Sequence, residues 1–161
     1  MMKLRTASIA DIEKIYQLEQ MCFPKEQAAN RQVLIDRLNI FPNHFLVIEE
    51  NNQIIAMING MVCNQEELTD NLYAVSSLHD EKGAWQMVFG LDTHPLYRKQ
   101  GLASQLLTEF IQQAKVQKRK GVILTCVAQM VGFYERFGFV NKGVSVSTHG
   151  AVEWYLMKLI F

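Results

Sequence analysis

A strand that runs through a short turn directly into a helix constrains this chain more than any other feature of its sequence. Residues 85–93 have strand composition, and a helical spacing of apolar residues follows at Leu102, Leu106, Leu107, Phe110 and Ile111. The first turn of a helix carries unpaired backbone N–H groups and a partial positive charge, which together attract phosphate oxygens. The sequence therefore predicts a phosphate site at the start of this helix.

The turn between this strand and this helix has the side chains that a phosphate site needs. Gly101 and Ala103 are small enough to stay clear of an approaching diphosphate, while Arg98 and Lys99 add positive charge without any metal. Alternatively, Gly101 only permits a tight turn and the basic residues are solvated, because short glycine motifs often match by chance. The preceding strand and the following helix favour the phosphate site.

The second half of the chain alternates strands with helices. A strand, a helix and another strand in this order predict parallel pairing through a right-handed crossover. Two apolar extended segments near the end indicate an antiparallel edge, so the predicted class is α/β or α+β with a mixed sheet. The predicted segments are strands at 85–93 and 121–127, helices at 101–117 and 129–137, and extended segments at 139–147 and 151–160.

The first half of the chain adds two amphipathic helices and a hairpin. Apolar residues at helical spacing predict helices near 9–21 and 26–38, after a short extended segment at 2–6. Strand composition at 44–49 and 53–62, separated by a polar turn, predicts two neighbouring antiparallel strands.

No linker or repeat divides the chain, so residues 1–161 are expected to form a single domain. The polar stretch at 64–83 is too long for a simple connection, and loops of this length are usually functional or mobile. We expect it either to fold over a substrate or to contact a second copy of the chain in a homodimer.

Charge and cysteine content argue against several classes of function. The 16 basic residues balance the 16 acidic residues, so the chain has no field to attract a nucleic acid or an anionic membrane. The three cysteines lack the spacing of a metal site or of a disulfide framework. Neither a signal peptide nor an apolar run of membrane-spanning length is apparent. We therefore expect a cytoplasmic protein that acts on small molecules.

Two motifs resemble those of one enzyme superfamily. The run from Leu91 to Ser104 resembles the coenzyme A motif of the GCN5-related N-acetyltransferase (GNAT) superfamily, and Phe133-Tyr134-Glu135-Arg136-Phe137-Gly138-Phe139 resembles its second signature. Further segments resemble a bacterial subgroup related to arylalkylamine N-acetyltransferases. These segments are Cys22-Phe23-Pro24, Ser77-Leu78-His79-Asp80, the strand from Gly83 to Leu91, and Thr148-His149-Gly150.

The resemblance implies a fold and a co-substrate. The fold would be a mixed central sheet of about seven strands flanked by about four helices, splayed between the fourth and fifth strands. Acetyl-CoA would bind without a metal, with its pantetheine arm in the gap against main-chain groups of Leu91 and Thr93, and its diphosphate on the amides of residues 99–104. The implied coenzyme-binding residues are Leu91, Asp92, Thr93, Arg98, Lys99, Gln100, Gly101, Leu102, Ala103 and Ser104.

The resemblance also implies how the acyl group is transferred. Transfer to an amine needs a donor for the thioester oxygen and an acid for the departing thiolate. A main-chain N–H in segment 89–91 is the implied oxygen donor, and Tyr134 is the implied general acid. Alternatively, Tyr134 is an aromatic core residue whose hydroxyl finds a backbone partner.

The resemblance does not extend to the proton acceptor. Animal arylalkylamine enzymes carry two histidines on the strand before the coenzyme A turn, where this chain has Met87 and Phe89. His79, in the loop beside that strand, is the substitute candidate, with His94 as the alternative, because a histidine titrates in the useful pH range. Either histidine could instead have a purely structural role.

The function implied by the resemblance is transfer of an acetyl group from acetyl-CoA to a primary amine. A small arylalkylamine is the expected acceptor, since Phe23, Tyr73, Trp85, Phe89, Trp154 and Tyr155 could surround an aryl or alkyl group. Two alternatives stay open. The chain could be an acyl-CoA sensor without catalytic activity, or it could acetylate an amine of a protein or peptide.

Overall fold

The computed structural model describes residues 1–147 and 149–161, so Thr148 of the subgroup motif lies outside the described residues. The helices are α1 Ile12–Cys22, α2 Arg31–Ile40, α3 Asp70–Ala74, α4 Leu102–Val116 and α5 Val131–Glu135. The strands are β1 Lys3–Thr6, β2 Phe45–Glu50, β3 Gln53–Asn59, β4 Val62–Cys63, β5 Trp85–Val88, β6 Gly90–Thr93, β7 Gly121–Cys126, β8 Val140–Val144 and β9 Tyr155–Ile160.

The strands form two sheets, in the orders β1-β2-β3-β6 and β4-β5-β7-β9-β8. β4 continues the path of β3, and β6 continues the path of β5, so the strand predicted at 53–62 and the strand predicted at 85–93 each contribute to both sheets. The predicted seven strands are therefore described as nine segments, and the predicted mixed α/β class is confirmed. The β5–β7 pair is parallel, while the other pairs are antiparallel.

The two sheets separate at Phe89. Before this residue, β5 pairs with β7 from Trp85–Gly121 to Val88–Leu124. After it, β6 pairs with β3 on one side, and no pairing between β6 and β7 is found among the described strands. If the register of the Val62–Gln86 pair continued along both strands, Asn59 would lie opposite Phe89, but it lies opposite Gly90. One extra residue, a β-bulge, therefore turns the strand away from β7 and opens the predicted gap.

The bend in the neighbouring strand depends on a glycine. Gly60 lies between β3 and β4, and a Cβ atom there would come within 1.9 Å of the carbonyl oxygen of Met87. No side chain larger than hydrogen fits at that distance. Gly60 thus lets the two bent strands stay paired while both change direction, and it holds the edge of the gap in place.

Helices cover both faces of the first sheet, which explains the almost continuous apolar character of its strands. Leu46, Ile48 and Ile58 pack on the side of α4, against its buried residues Leu106, Leu107 and Phe110. The alternate residues Phe45, Val47 and Met57 pack on the other side, against Leu18 of α1 and Leu34 of α2. Burying side chains of this size contributes about 2 kcal/mol each to folding.

The structure corrects the start of one predicted helix and the content of one predicted loop. Helix α2 begins at Arg31 rather than near residue 26, because the Asn30 side chain accepts a hydrogen bond from the Val33 amide (2.9 Å) and caps the helix there. The stretch 64–83 contains the short helix α3, whose Leu72 is fully buried with Leu68 in a third core cluster. The stretch is therefore packed onto the domain rather than detached from it. No helix in the described part of the chain is long and apolar enough to cross a bilayer.

Candidate active site

A cavity of about 830 Å³ opens where the two sheets separate. One end is lined by the turn before α4 and by α5, and the other end by α1, α2 and α3. The bulge residues Phe89 and Gly90 and the β7 residues Leu124 and Thr125 form its middle. A slender ligand lying in the gap would therefore connect the helix start with the pocket between the first three helices.

The turn before α4 presents free amides to this cavity. Lys99 and Gly101 have left-handed backbone conformations, with φ of 64° and 82°. The first bond of the helix runs from the Gln105 amide to the Gly101 carbonyl (3.0 Å), and the amides of residues 99–104 have no acceptor among the described residues. A Cβ atom at Gly101 would meet nothing within 4 Å. Glycine is therefore needed there for its φ angle, and the space beside it stays open.

Most of the predicted coenzyme-binding residues line this single cavity. Two do not: Gln100 is exposed beside it, and the Asp92 side chain is completely buried behind the wall. The residues that line it are Leu91, Thr93, Arg98, Lys99, Gly101, Leu102, Ala103 and Ser104.

The strand register decides which main-chain groups face the gap. The His94 amide donates to the Ile55 carbonyl (2.7 Å), so the paired residues at Asp92 and Met57 also point toward each other. Leu91 and Thr93 alternate with them and turn their main-chain groups away from β3, toward the gap. The Phe89 amide already donates to the Asn59 carbonyl (2.7 Å). Within the segment predicted to supply an oxygen donor, the Leu91 amide is thus the available one.

Tyr134 lies on α5 with its ring packed edge-on against Phe133 and Phe139, at centroid distances of 5.1 and 5.7 Å. The residue is 6% exposed and lines the cavity. Its hydroxyl has no hydrogen-bond partner among the described residues, which weakens the alternative of a core tyrosine tied to the backbone. Burial raises the pKa of this phenol well above its ordinary value, so it holds its proton throughout the physiological range.

The structure brings neither candidate histidine to the cavity. His79 accepts a hydrogen bond from the Val62 amide at Nδ1 and contacts Glu81 at Nε2, both at 3.0 Å. Burial lowers the pKa of His79. His94 caps a short turn by accepting a bond from the Leu96 amide at Nδ1 (3.1 Å). The role of proton acceptor predicted for these residues has no support from their positions.

His79 instead belongs to a polar cluster with His44 and Glu81. The Gln86 amide nitrogen donates to the carbonyl of Met87 (2.8 Å), so its oxygen accepts from His44 Nδ1 (2.9 Å). His44 Nε2 faces the Glu81 carboxylate at 3.0 Å. The three side chains lie close enough together to hold a cation. However, His79 Nδ1 accepts a hydrogen bond from the Val62 amide, which leaves the ring hydrogen on Nε2. This arrangement fits a hydrogen-bonded network better than a metal site.

Sequence reasoning missed a pair of buried carboxyl groups behind the cavity. Asp92 is 0% exposed, and neither of its oxygens receives a donor from the amides, hydroxyls or cations described. Burial, together with the charge of the neighbouring Glu19 carboxyl, raises the pKa of Asp92 well above its usual range. Glu19 is 5% exposed, lines the cavity, and accepts a bond from the Ala29 amide (2.8 Å). A signal existed, since Glu19 falls on the apolar stripe of α1, four residues after Ile15.

A buried arginine completes this region. Arg37 is 4% exposed and donates to the Asn59 side chain and to the Tyr73 carbonyl, both at 3.1 Å. Its guanidinium lies 4.7 Å from the centre of the Phe89 ring, and no carboxylate forms an ion pair with it in the described residues. Burial lowers the pKa of Arg37 to about 10.

Aromatic side chains wall the end of the cavity away from the helix start. The Tyr73 ring packs on Phe89 with centroids 4.9 Å apart, and its hydroxyl lies 2.6 Å from the Thr125 hydroxyl across the gap. Phe23 and Trp154 also line this end. Trp85 and Tyr155, expected in the same wall, lie elsewhere: Trp85 is buried in the core, and Tyr155 bonds to Glu153 at the surface (2.9 Å).

Comparison with known proteins agrees with this geometry. The model of the acetyltransferase (GNAT) family matches residues 12–139. Serotonin N-acetyltransferase of Mesocricetus auratus is 29% identical over 118 residues, which cover 73% of this chain and 56% of that enzyme. The matched region thus spans about half the length of this curated relative.

Solved structures share the fold over nearly the whole chain. The loading GNATL domain of CurA from Lyngbya majuscula has a TM-score of 0.88 at 15% identity, covering 99% of this chain and 98% of that domain. The GphF GNAT-like decarboxylase, solved in complex with isobutyryl-CoA, has a TM-score of 0.85 at 17% identity, covering 98% of each chain. At these identities the similarity concerns the fold.

Proposed function

The chain belongs to the acetyltransferase (GNAT) family, a family of acetyl-CoA-dependent N-acetyltransferases, and we propose that it transfers an acetyl group from acetyl-CoA to a small primary amine. One observation carries the proposal. The free amides of residues 99–104, the unpaired edge of β6 and the Tyr134 hydroxyl all meet in one cavity at the split between the sheets. Such a cavity can hold a thioester at its middle and an amine at its far end. We further propose that residues 1–161 form one catalytic domain.

The roles of the residues follow from the groups they present. The amides at the start of α4, with Arg98 and Lys99, bind the diphosphate, because the helix end supplies both donors and positive potential. Main-chain groups of Leu91 and Thr93 pair with the pantetheine amides. The Leu91 amide donates to the thioester oxygen as negative charge develops there, and Tyr134 gives its proton to the departing thiolate. This last role suits a phenol whose burial keeps it protonated.

The acceptor end favours an arylalkylamine. Its walls combine the aromatic rings of Phe23, Tyr73 and Trp154 with the carboxylate of Glu19, which suits a molecule with an aryl group and an amine. The serotonin N-acetyltransferase relative supports the same class of acceptor. Amines of proteins and peptides are the alternative. A cytoplasmic location and a homodimer remain predictions from the sequence.

The test measures coenzyme A thiol release with a panel of amines. The panel contains 2-phenylethylamine, an alkylamine without a ring, and a peptide with a free N-terminus, each with acetyl-CoA or isobutyryl-CoA as donor. We expect saturable release that is fastest with the arylalkylamine and acetyl-CoA. Saturable coenzyme binding without amine-dependent release would instead indicate an acyl-CoA sensor, and a preference for the peptide would reassign the acceptor.

A substitution tests the coenzyme site separately. Gly101→Glu adds a negative charge where the diphosphate is expected, and we expect acetyl-CoA affinity to fall at least 100-fold by calorimetry, about 2.7 kcal/mol. Gly143→Glu is the matched control, since Gly143 also has a positive φ (95°), also has nothing within 4 Å of an added Cβ, and lies on β8 outside the cavity. Equal binding by the two variants would refute the assigned coenzyme site.

A further inference from the structure

The reaction proposed above lacks a proton acceptor for the amine, and the buried pair Glu19–Asp92 meets this need. We propose that the two carboxyl groups act as one unit, in which Glu19 contacts the substrate amine and Asp92 receives the proton through Glu19. The inference rests on the proposed amine acetylation. It makes Glu19 a catalytic residue and Asp92 a positioning residue that acts through it.

The positions of the two side chains suit a relay. Glu19 comes from α1 and Asp92 from β6, and both side chains are buried, at 5% and 0% exposed, with the Glu19 carboxyl among the groups that act on Asp92. Glu19 lines the cavity on one side and is anchored on the other by the Ala29 amide (2.8 Å). Asp92 does not reach the cavity. A proton that arrives from the cavity therefore meets Glu19 first, and Asp92 is the next acid behind it.

The groups around Asp92 leave it without a donor. Besides Glu19, the groups that face Asp92 from the elements packed against it include the Cys22 thiol of α1, the Arg37 guanidinium of α2 and the Asn59 amide of β3. The thiol donates instead to the Thr93 carbonyl (3.3 Å), and the guanidinium donates to Asn59 and to Tyr73. Both Asp92 oxygens have no partner in the described part of the chain, and neither do two buried donors in the same region, Arg37 Nε and Asn59 Nδ2. An acid kept buried and unpaired beside a second acid binds a proton readily.

A lone carboxylate would serve this reaction less well. An ordinary glutamate has a pKa of about 4, far below that of an alkylammonium near 10, so it withdraws a proton weakly. Burial and the Glu19 carboxyl raise the pKa of Asp92, which brings its proton affinity closer to that of the amine. General-base efficiency is best when the pKa of the base lies near the working pH.

The proton balance of the reaction closes. The amine enters as an ammonium ion and gives one proton to Glu19, which passes a proton to Asp92. The neutral nitrogen forms a bond to the thioester carbon, the carbon–sulfur bond breaks, and the thiolate takes the proton of Tyr134. The second nitrogen proton restores the Tyr134 hydroxyl through water, and Asp92 later releases its proton to solvent. The products are the amide, coenzyme A as the thiol, and one proton.

The kinetic test compares Asp92→Asn and Glu19→Gln with wild type across pH. In wild type, kcat/KM should rise as pH increases through the pKa of Asp92. Asp92→Asn should lower the high-pH plateau of kcat/KM about 100-fold and shift its rising limb to lower pH. Glu19→Gln should lower kcat/KM by as much or more. The double variant should lose no more than Glu19→Gln, because the two groups act together. Glu13→Gln, on the exposed face of α1, is the control and should stay within twofold.

A spectroscopic test needs no turnover. Infrared difference spectra of wild type against Asp92→Asn should show a carboxylic acid C=O band that disappears as pH rises. With plain coenzyme A bound, so that no acetyl group can be transferred, adding 2-phenylethylamine at that higher pH should restore the band. If the band returns but the protein releases no thiol with any amine, the proposed acetylation is refuted and the pair is supported as proton acceptor. Absence of the band, or an unchanged pH profile in Asp92→Asn, would overturn the pair.

Discussion

Replacing Tyr134 with phenylalanine isolates one step of the reaction, because the structure separates the hydroxyl from the packing of the ring. The ring keeps its contacts with Phe133 and Phe139, and the missing hydroxyl leaves no described partner unsatisfied. The hydroxyl belongs to a residue that lines the cavity and it bonds to no described protein group, so its removal breaks no described hydrogen bond. The free energy of unfolding in urea should therefore stay equal or rise slightly.

Turnover should respond in the opposite way. A general acid contributes about 10²- to 10⁴-fold to the rate, so kcat for amine-dependent thiol release should fall by this factor, about 3 to 5 kcal/mol in activation free energy. The affinity for acetyl-CoA, measured by calorimetry, should change less than threefold. Because burial raises the pKa of Tyr134, kcat of wild type should also show no loss from this group below the ordinary tyrosine value of about 10. A variant that keeps at least a third of the wild-type kcat would remove Tyr134 from the acid role.

Two predictions concern stability. The pKa of Asp92 is raised in the folded state, so between the ordinary pKa of about 4 and the raised value the folded protein binds more protons than the unfolded chain. The free energy of unfolding must therefore fall as pH rises through that window, by about 1.4 kcal/mol for each unit of the shift. Asp92→Asn should abolish this fall in urea unfolding curves recorded at several pH values, and a variant that retains it would refute the assignment. Gly60→Ala should destabilise the protein by about 3 kcal/mol because its Cβ would meet the Met87 carbonyl at 1.9 Å. The control Gly132→Ala, on α5 with open space around it, should be neutral or stabilising by about 0.5 kcal/mol, and similar losses in both would contradict the close contact.

Local patterns predicted helix α4 and the turn before it well. The α4 helix was expected at 101–117 and spans Leu102–Val116, because its apolar spacing and the glycine before it depend only on neighbouring residues. The start of α2 was missed because Asn30, within the predicted helix, caps it. Helix α3 was missed because Leu68 and Leu72 are held by the distant core residues Phe41 and Trp85, which no local pattern reveals.

The acid–base chemistry was the hardest part to predict. Whether His79 faces the cavity depends on the pairing of β4 with β5, which places its ring beside Val62 and Glu81. Likewise, the meeting of Glu19 with Asp92 joins residues more than seventy positions apart in the sequence. Long-range contacts of this kind arise from tertiary packing, and a search for residue types that titrate near neutral pH pointed to the histidines instead.

The close approach at Gly60 also bears on how fast a ligand can enter. The bulge at Phe89 and the bend at Gly60 are both built into the folded chain, so the divergence of the strands does not wait for an incoming molecule. Association of acetyl-CoA then requires no prior separation of paired strands. Because every folded molecule already has the groove, no population without it lowers the affinity. Stopped-flow traces should accordingly show a single phase whose rate grows linearly with acetyl-CoA concentration, with no plateau set by a slow rearrangement.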